Sequence, residues 1–266
     1  MHTVGTLRRA AAVLWSLVLT WAIAALVAAR LAPRARRLLS ARLARSTTDA
    51  LGLRMRVTGA VPTGDDRPRL YVANHVSWLD IYALGAWWPA RFVAKMETAS
   101  WPLAGTIARR FDALFIVRGS FRDAARVKAR VAAALAAGDS VVVFPEATTT
   151  DGTRLERFHP ALFEAAIEAG AVVQPVALRY RKPDGSPCPA AAFVGDDTFA
   201  ASLCRVLREP AIQVDVHVGP ALSPAGWTRR ELAARSQTAV AGALGLHPAV
   251  VKPPYPLRPR RIAPAA

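Results

Sequence analysis

Leu70-Tyr71-Val72-Ala73-Asn74-His75-Val76-Ser77-Trp78-Leu79-Asp80 opens with a short apolar run, passes through a polar turn, and enters a helical pattern that continues to Trp87. An apolar run bounded by a turn reads as a buried strand, so Leu70–Ala73 is a strand and Trp78–Trp87 a helix. The same change of period repeats along the chain. Arg54–Val57, Arg91–Ala94, Ala113–Val117, Ser140–Phe144, Val172–Leu178 and Ile212–Val218 read as further strands. Pro102–Arg110, Phe121–Ala137, Ala161–Ala169 and Arg229–Leu244 read as helices, the second of these stopped by Gly138-Asp139. This alternation predicts an α/β fold, a mostly parallel sheet flanked by helices. The segments Val61–Pro68 and Lys182–Pro189 are turn-rich.

The turn after the first of these runs also carries chemistry. His is the side chain best suited to take a proton near neutral pH. A carboxylate that fixes its tautomer and steadies the imidazolium makes it a usable base. His75 and Asp80 supply such a pair on one local track, able to activate a hydroxyl for attack on an acyl group. A second reading stands beside it. Ser77-x-x-Asp80 resembles a helix-capping box with Asp in place of Glu, so Asp80 would hold the helix start. The two readings are compatible, because a first-turn carboxylate faces back toward His75.

The chain has 266 residues and a net charge of +16, enough for one large α/β domain or two small ones. The charge is concentrated at the ends. Residues 1–50 hold eight Arg against one Asp, and the tail holds Lys252, Arg258, Arg260 and Arg261. Between the flanking arginines, Ala10–Ala29 is an uncharged apolar run close to the length that spans a bilayer. Trp15 and Trp21 sit centrally for an interfacial belt, which leaves a shallow or tilted insertion open. The heavier basic flank follows the run and predicts an inner-membrane protein whose main domain is cytoplasmic. Arg34–Arg45 reads as a basic amphipathic helix on anionic lipid. These features divide the chain into an anchor and basic segment (1–50), a catalytic domain (51–250) and a basic Pro-rich tail (251–266). Nucleic acid is not the expected partner, since neither a binding motif nor aromatic–basic interleaving occurs. Cys188 and Cys204 have no metal-like or redox-like spacing, and no metal is expected.

Two further segments end strands. Phe115–Ser120 places Arg118 before a Gly and a plausible cap, a combination suited to a phosphate. Phe144-Pro145-Glu146-Ala147-Thr148-Thr149-Thr150 places a carboxylate and hydroxyls in a loop of the kind that forms ligand crevices. His159 with Glu164 is a decoy pair without an adjoining phosphate-like loop, and His217 alternates within a strand as a structural residue.

Taken in order, four blocks resemble the glycerophospholipid acyltransferase family, in particular bacterial 1-acyl-glycerol-3-phosphate (lysophosphatidic acid) acyltransferases. Asn74–Asp80 matches NH-x4-D, Phe115–Arg118 the strand ending in Arg, Phe144–Thr150 the FPEGT block, and Val172–Val176 the strand containing Pro175. The resemblance covers about Leu51–Val218. It implies a membrane-bound O-acyltransferase moving an acyl group from acyl-CoA or acyl-carrier protein to the free hydroxyl of 1-acyl-glycerol-3-phosphate, giving phosphatidic acid for phospholipids. It implies His75 as general base, Asp80 as its orienting partner, and no cofactor. It also implies acceptor contacts from Asn74, Arg118, Glu146, Ala147 and Thr148, with Pro175 and Lys95 shaping the same cleft. Ala147 replaces the family's Gly, where Gly permits positive φ. Thr149 stands where Arg is common, with Arg154 or Arg157 as possible replacements. These departures raise the alternative of lyso-ornithine lipid, an acceptor without a phosphate. A membrane-tethered lipid hydrolase is the second alternative.

Overall fold

The structure is a computed structural model that describes residues 2–62, 67–117, 121–247 and 250–256. Its elements are α1 (His2–Leu26), α2 (Pro33–Ala50), β1 (Leu53–Gly59), β2 (Arg69–Ala73), α3 (Leu79–Trp87), β3 (Arg91–Lys95), α4 (Pro102–Arg110), β4 (Leu114–Ile116), α5 (Phe121–Ala136), β5 (Val141–Val143), α6 (Phe163–Ala169), β6 (Val172–Arg181), α7 (Phe199–Arg208), β7 (Ile212–Val218) and α8 (Arg229–Leu244).

The strands form one seven-stranded sheet in the order β1-β7-β6-β2-β5-β3-β4. Every pairing is parallel except β6 with β7, so β1 and β7 run against the other strands. β2 and β5 are buried at every residue, as central strands covered on both faces must be. One face packs Tyr71, Val142, Val176 and Leu178 under Leu79, Leu84, Val206 and Leu207 of α3 and α7, with Val13 of α1 in the same cluster. The other packs Leu70, Val72, Val141 and Val173 under Val131, Phe163, Leu232 and Val240 of α5, α6 and α8.

β6 changes partner along its length. Its first half pairs with β2, with Pro175 opposite Val72, and its second half pairs with β7 as far as Arg181. Pro175 has no N–H for a ladder, and it lies one residue beyond the last β7 pair, Val176–Val218. Gly219 donates its N–H to the Pro175 carbonyl at 2.9 Å, and antiparallel pairing resumes between Val173 and Leu222.

The two N-terminal helices pack on each other and on the domain. α1 ends before a short 3-10 turn at Ala28–Arg30, and Pro33 opens α2 in the first-turn position that tolerates proline. The two helices pack together, with Ser16 Oγ 2.9 Å from Thr47 Oγ1. Arg36, Arg37 and Arg45 of α2 bond to the protein, and Arg34 and Arg42 are exposed. Arg36 reaches both carboxylate oxygens of Asp112 at 2.8 Å, Arg37 pairs with Asp139 at 2.7 Å, and Arg45 donates to the Ala86 carbonyl at 2.8 Å. The described part of the tail is bonded to the domain as far as Pro256, whose carbonyl accepts from Arg230 at 2.9 Å. Leu155 donates to the Val250 carbonyl and Lys252 to the Leu155 carbonyl, a parallel bridge beside Val251. Gln237 of α8 donates to the Lys252 carbonyl at 2.5 Å and accepts the Phe158 N–H at 3.0 Å.

Candidate active site

Parallel pairing brings the C-terminal ends of β2, β5, β3 and β4 to one edge of the sheet. Ligand crevices in open α/β sheets form outside such ends. The loop 74–78 leaves β2 there, and the loop from Phe144 leaves β5 beside it. β6 continues beyond the end of β2, so Leu178 and Tyr180 stand over the first loop.

Asp80 opens α3 and is fully buried. Its Oδ2 accepts the Val76 N–H at 2.8 Å and the Ser77 N–H at 3.0 Å, and lies 2.7 Å from His75 Nδ1. A carboxylate with these partners only accepts, so Nδ1 carries the proton and Nε2 is the basic nitrogen. Tyr180 donates its hydroxyl to Oδ1 at 2.6 Å. The His75 ring stacks on Phe144 with centroids 4.1 Å apart, which fixes its plane while leaving the side chain 19% exposed. The capping box expected at Ser77 forms only on the Asp80 side. The Ser77 hydroxyl is buried and makes no hydrogen bond among the described residues.

Asn74 and Glu146 hold this loop from two sides. The Asn74 amide pairs with Leu178 as a strand would, donating to its carbonyl at 3.0 Å and accepting its N–H at 2.7 Å. Glu146 accepts the His75 N–H on one oxygen and the Glu156 N–H on the other, each at 2.7 Å. Burial pushes the Glu146 carboxyl up to about 8; the two N–H bonds pull it down, and the charges of Asp80 and Glu156 push it further up. The Thr150 N–H closes the contact by donating to the His75 carbonyl at 2.8 Å.

Ala147 adopts φ +59°, the left-handed conformation that Gly takes without cost. The loop therefore keeps the turn the family's Gly permits, at a strain on the order of 1 kcal/mol. Thr148 is exposed beside it. Thr149 donates its hydroxyl to the Phe193 carbonyl at 2.5 Å. Arg154 lies 3.5 Å from Glu156 and 3.8 Å from Asp151. Arg157 donates to the Pro253 carbonyl at 2.5 Å, and its guanidinium lies 4.7 Å from the Tyr255 ring centroid.

Two of the remaining sequence candidates lie among the described residues. Lys95 is exposed at the end of β3, two strands from β2, and Pro175 is buried within β6. Arg118, with Gly119 and Ser120, lies outside the described residues. The decoy pair does not meet: His159 Nδ1 is 2.8 Å from the Tyr255 hydroxyl, and Glu164 pairs with Arg229 at 3.6 Å. His217 Nδ1 is 3.2 Å from Thr58 Oγ1, bridging β7 and β1. Sequence reasoning missed Tyr180. Its signal was a hydroxyl-bearing aromatic two residues on from Leu178 and four from Val176, a spacing that puts it on the same face of the strand, where all three join one core cluster.

Known proteins are similar to this chain in sequence and in fold. A family model described as Acyltransferase matches residues 54–179. A lyso-ornithine lipid O-acyltransferase of Pseudomonas aeruginosa is 44% identical over 195 residues, 73% of this chain and 74% of that protein. A 1-acyl-sn-glycerol-3-phosphate acyltransferase of Neisseria gonorrhoeae is 42% identical over 148 residues, 55% of this chain and 58% of that one. The crystal structure of the 1-acyl-sn-glycerophosphate acyltransferase of Thermotoga maritima superposes with a TM-score of 0.68 at 19% identity, covering 92% of this chain and 97% of that one, and shares the fold. The matched span contains the paired His75 and Asp80, and the first of these relatives extends the similarity well beyond it: the chain belongs to the acyltransferase family.

Proposed function

We propose that the protein transfers an acyl group from a thioester, acyl-CoA or acyl-carrier protein, to the free hydroxyl of lyso-ornithine lipid. The observation that carries the reaction is the His75–Asp80 hydrogen bond with Nε2 left basic. His75 takes the acceptor's proton as its oxygen forms a bond to the thioester carbonyl carbon. The tetrahedral intermediate collapses, the C–S bond breaks, and His75 returns the proton to the departing thiolate. Asn74 and Glu146 act in this reading by holding the loop, since their polar atoms are engaged by backbone groups.

The acceptor rests on the Pseudomonas relative and on a second lyso-ornithine lipid O-acyltransferase from Rhizobium meliloti, 41% identical over 184 residues. The loop after β5 is consistent with a head group lacking phosphate. Thr149 stands where a cation is common, and Arg154 and Arg157 are engaged with neighbouring groups. Lysophosphatidic acid, the acceptor the motif resemblance implied first, is the second reading; the Neisseria relative favours it.

Location follows from α1. Val13, Ser16, Thr20 and Ala24 are buried against the protein, while Leu7, Leu14, Trp15, Leu19 and Leu26 are exposed. That outward apolar face would enter the inner membrane, with the catalytic domain on the cytoplasmic side. For the chemistry, His75→Ala in the full-length protein is expected to lower transfer at least about a hundredfold, the usual contribution of a general base. His159→Ala should change it little. Near-normal transfer by folded His75→Ala would remove His75 from the mechanism.

A further inference from the structure

Asp80 is buried beneath the loop it organises, and both of its oxygens are occupied. Oδ2 serves His75 and two backbone N–H groups of its own loop. Oδ1 serves Tyr180, which reaches it from β6, 100 residues along the chain. The loop geometry can hold Oδ2 unaided, whereas the Tyr180 hydroxyl is the donor that fixes Oδ1 from outside the loop.

We infer that Tyr180 is a positioning residue for acyl transfer: its hydroxyl fixes the Asp80 carboxylate and sets how strongly that carboxylate holds the protonated imidazole of His75. The inference rests on His75 acting as the base. Among the described residues three titratable groups face Asp80: His75 from the same loop, Glu146 from the loop after β5, and Tyr180 from β6. Burial pushes the Tyr180 phenol well above its ordinary range, with Asp80 reinforcing the shift, so it remains a donor throughout the working pH range. Donation to Oδ1 draws charge away from Oδ2. Without it the carboxylate faces imidazolium with more charge, and His75 gives up its proton less readily. It also leaves Oδ1 buried and short of a donor.

The test is Tyr180→Phe in the full-length protein, which removes one oxygen and keeps the ring in the core. Transfer from labelled acyl-CoA is measured across pH, with whichever of lyso-ornithine lipid and lysophosphatidic acid is acylated faster. The expected result is a fall in kcat of about tenfold, the rate equivalent of one hydrogen bond to a charged group. Both KM values should stay within about twofold, and the acidic limb of the profile should move to higher pH. An unmoved limb, an unchanged kcat, or a loss appearing in KM alone overturns the inference. Should Tyr180→Phe not fold, a fluorinated tyrosine at position 180 keeps the shape and strengthens the donor. The limb should then move to lower pH, and an unmoved limb overturns the inference equally. His75→Ala is assayed in parallel. An active His75→Ala protein overturns the reading of His75 and this inference with it. An inactive one beside an unmoved Tyr180→Phe limb overturns the inference alone.

Discussion

Glu146 and His75 stand 71 residues apart in the chain and share one hydrogen bond, which ties the loop after β5 to the loop after β2. Nothing in the residue types announces that bond, because the donor is a backbone N–H. The same holds for Asn74, whose partner is the backbone of Leu178. The contact between His75 and Asp80, by contrast, is legible in the sequence because both residues lie in one short turn. Glu146 also makes stability depend on pH. Its folded value of about 8 lies above its ordinary 4.5. Between those values the folded protein keeps a proton that the unfolded chain has released, so this group's contribution is present at low pH and is lost as pH rises through that window. Glu146→Gln cannot titrate. In detergent, the wild-type Tm should therefore fall more between pH 5 and pH 8 than that of Glu146→Gln. The difference should be a few degrees, corresponding to about 1 kcal/mol or more. Parallel Tm curves would contradict the buried, proton-holding carboxyl.

At the scale of elements, the strand and helix cores followed the apolar pattern, and the misreadings lie where that pattern thins. The sequence reading ends the sixth strand at Leu178, where the apolar run gives way to Arg179, and places a turn-rich segment from Lys182. β6 runs on to Arg181 because β7 supplies an antiparallel partner, and those extra residues carry Tyr180. α7 was not read from the sequence at all. It is one of the shorter helices at ten residues, although its apolar residues gather on one side and Thr198 caps it through the Ala201 N–H. α1 was read as a uniform apolar run, yet it has two faces in the structure, one packed on the domain and one exposed. Two outcomes follow for a protein lacking residues 2–30. Full-length protein should sediment with membranes and resist high salt, while the shortened protein should bind more weakly. Because Val13 lies in the core and Arg9 donates to the Leu51 carbonyl at 2.5 Å, the shortened protein should also have a lower Tm. Recovery of the full-length protein in the soluble fraction without detergent would contradict the membrane reading.

For the whole molecule, the alternation of elements shows that a sheet with helices on both faces forms, but not which strands neighbour one another. The reversed pair β1 and β7 alternates buried and more exposed residues where β2 and β5 are buried throughout, a mark of strands with one open face that does not by itself give their direction. The acceptor is hidden for a related reason. The loops that would meet a head group are short and polar, and their arginines are engaged in ways that only the folded chain reveals. The most direct measurement supplies full-length protein in membranes with labelled acyl donor and, in separate reactions, lyso-ornithine lipid, lysophosphatidic acid or no acceptor, followed by lipid extraction. The account predicts label in the acylated product of lyso-ornithine lipid, with less transfer to lysophosphatidic acid. Preferential transfer to lysophosphatidic acid would contradict the proposed acceptor. Label released only as free fatty acid, whatever acceptor is present, would contradict acyl transfer itself.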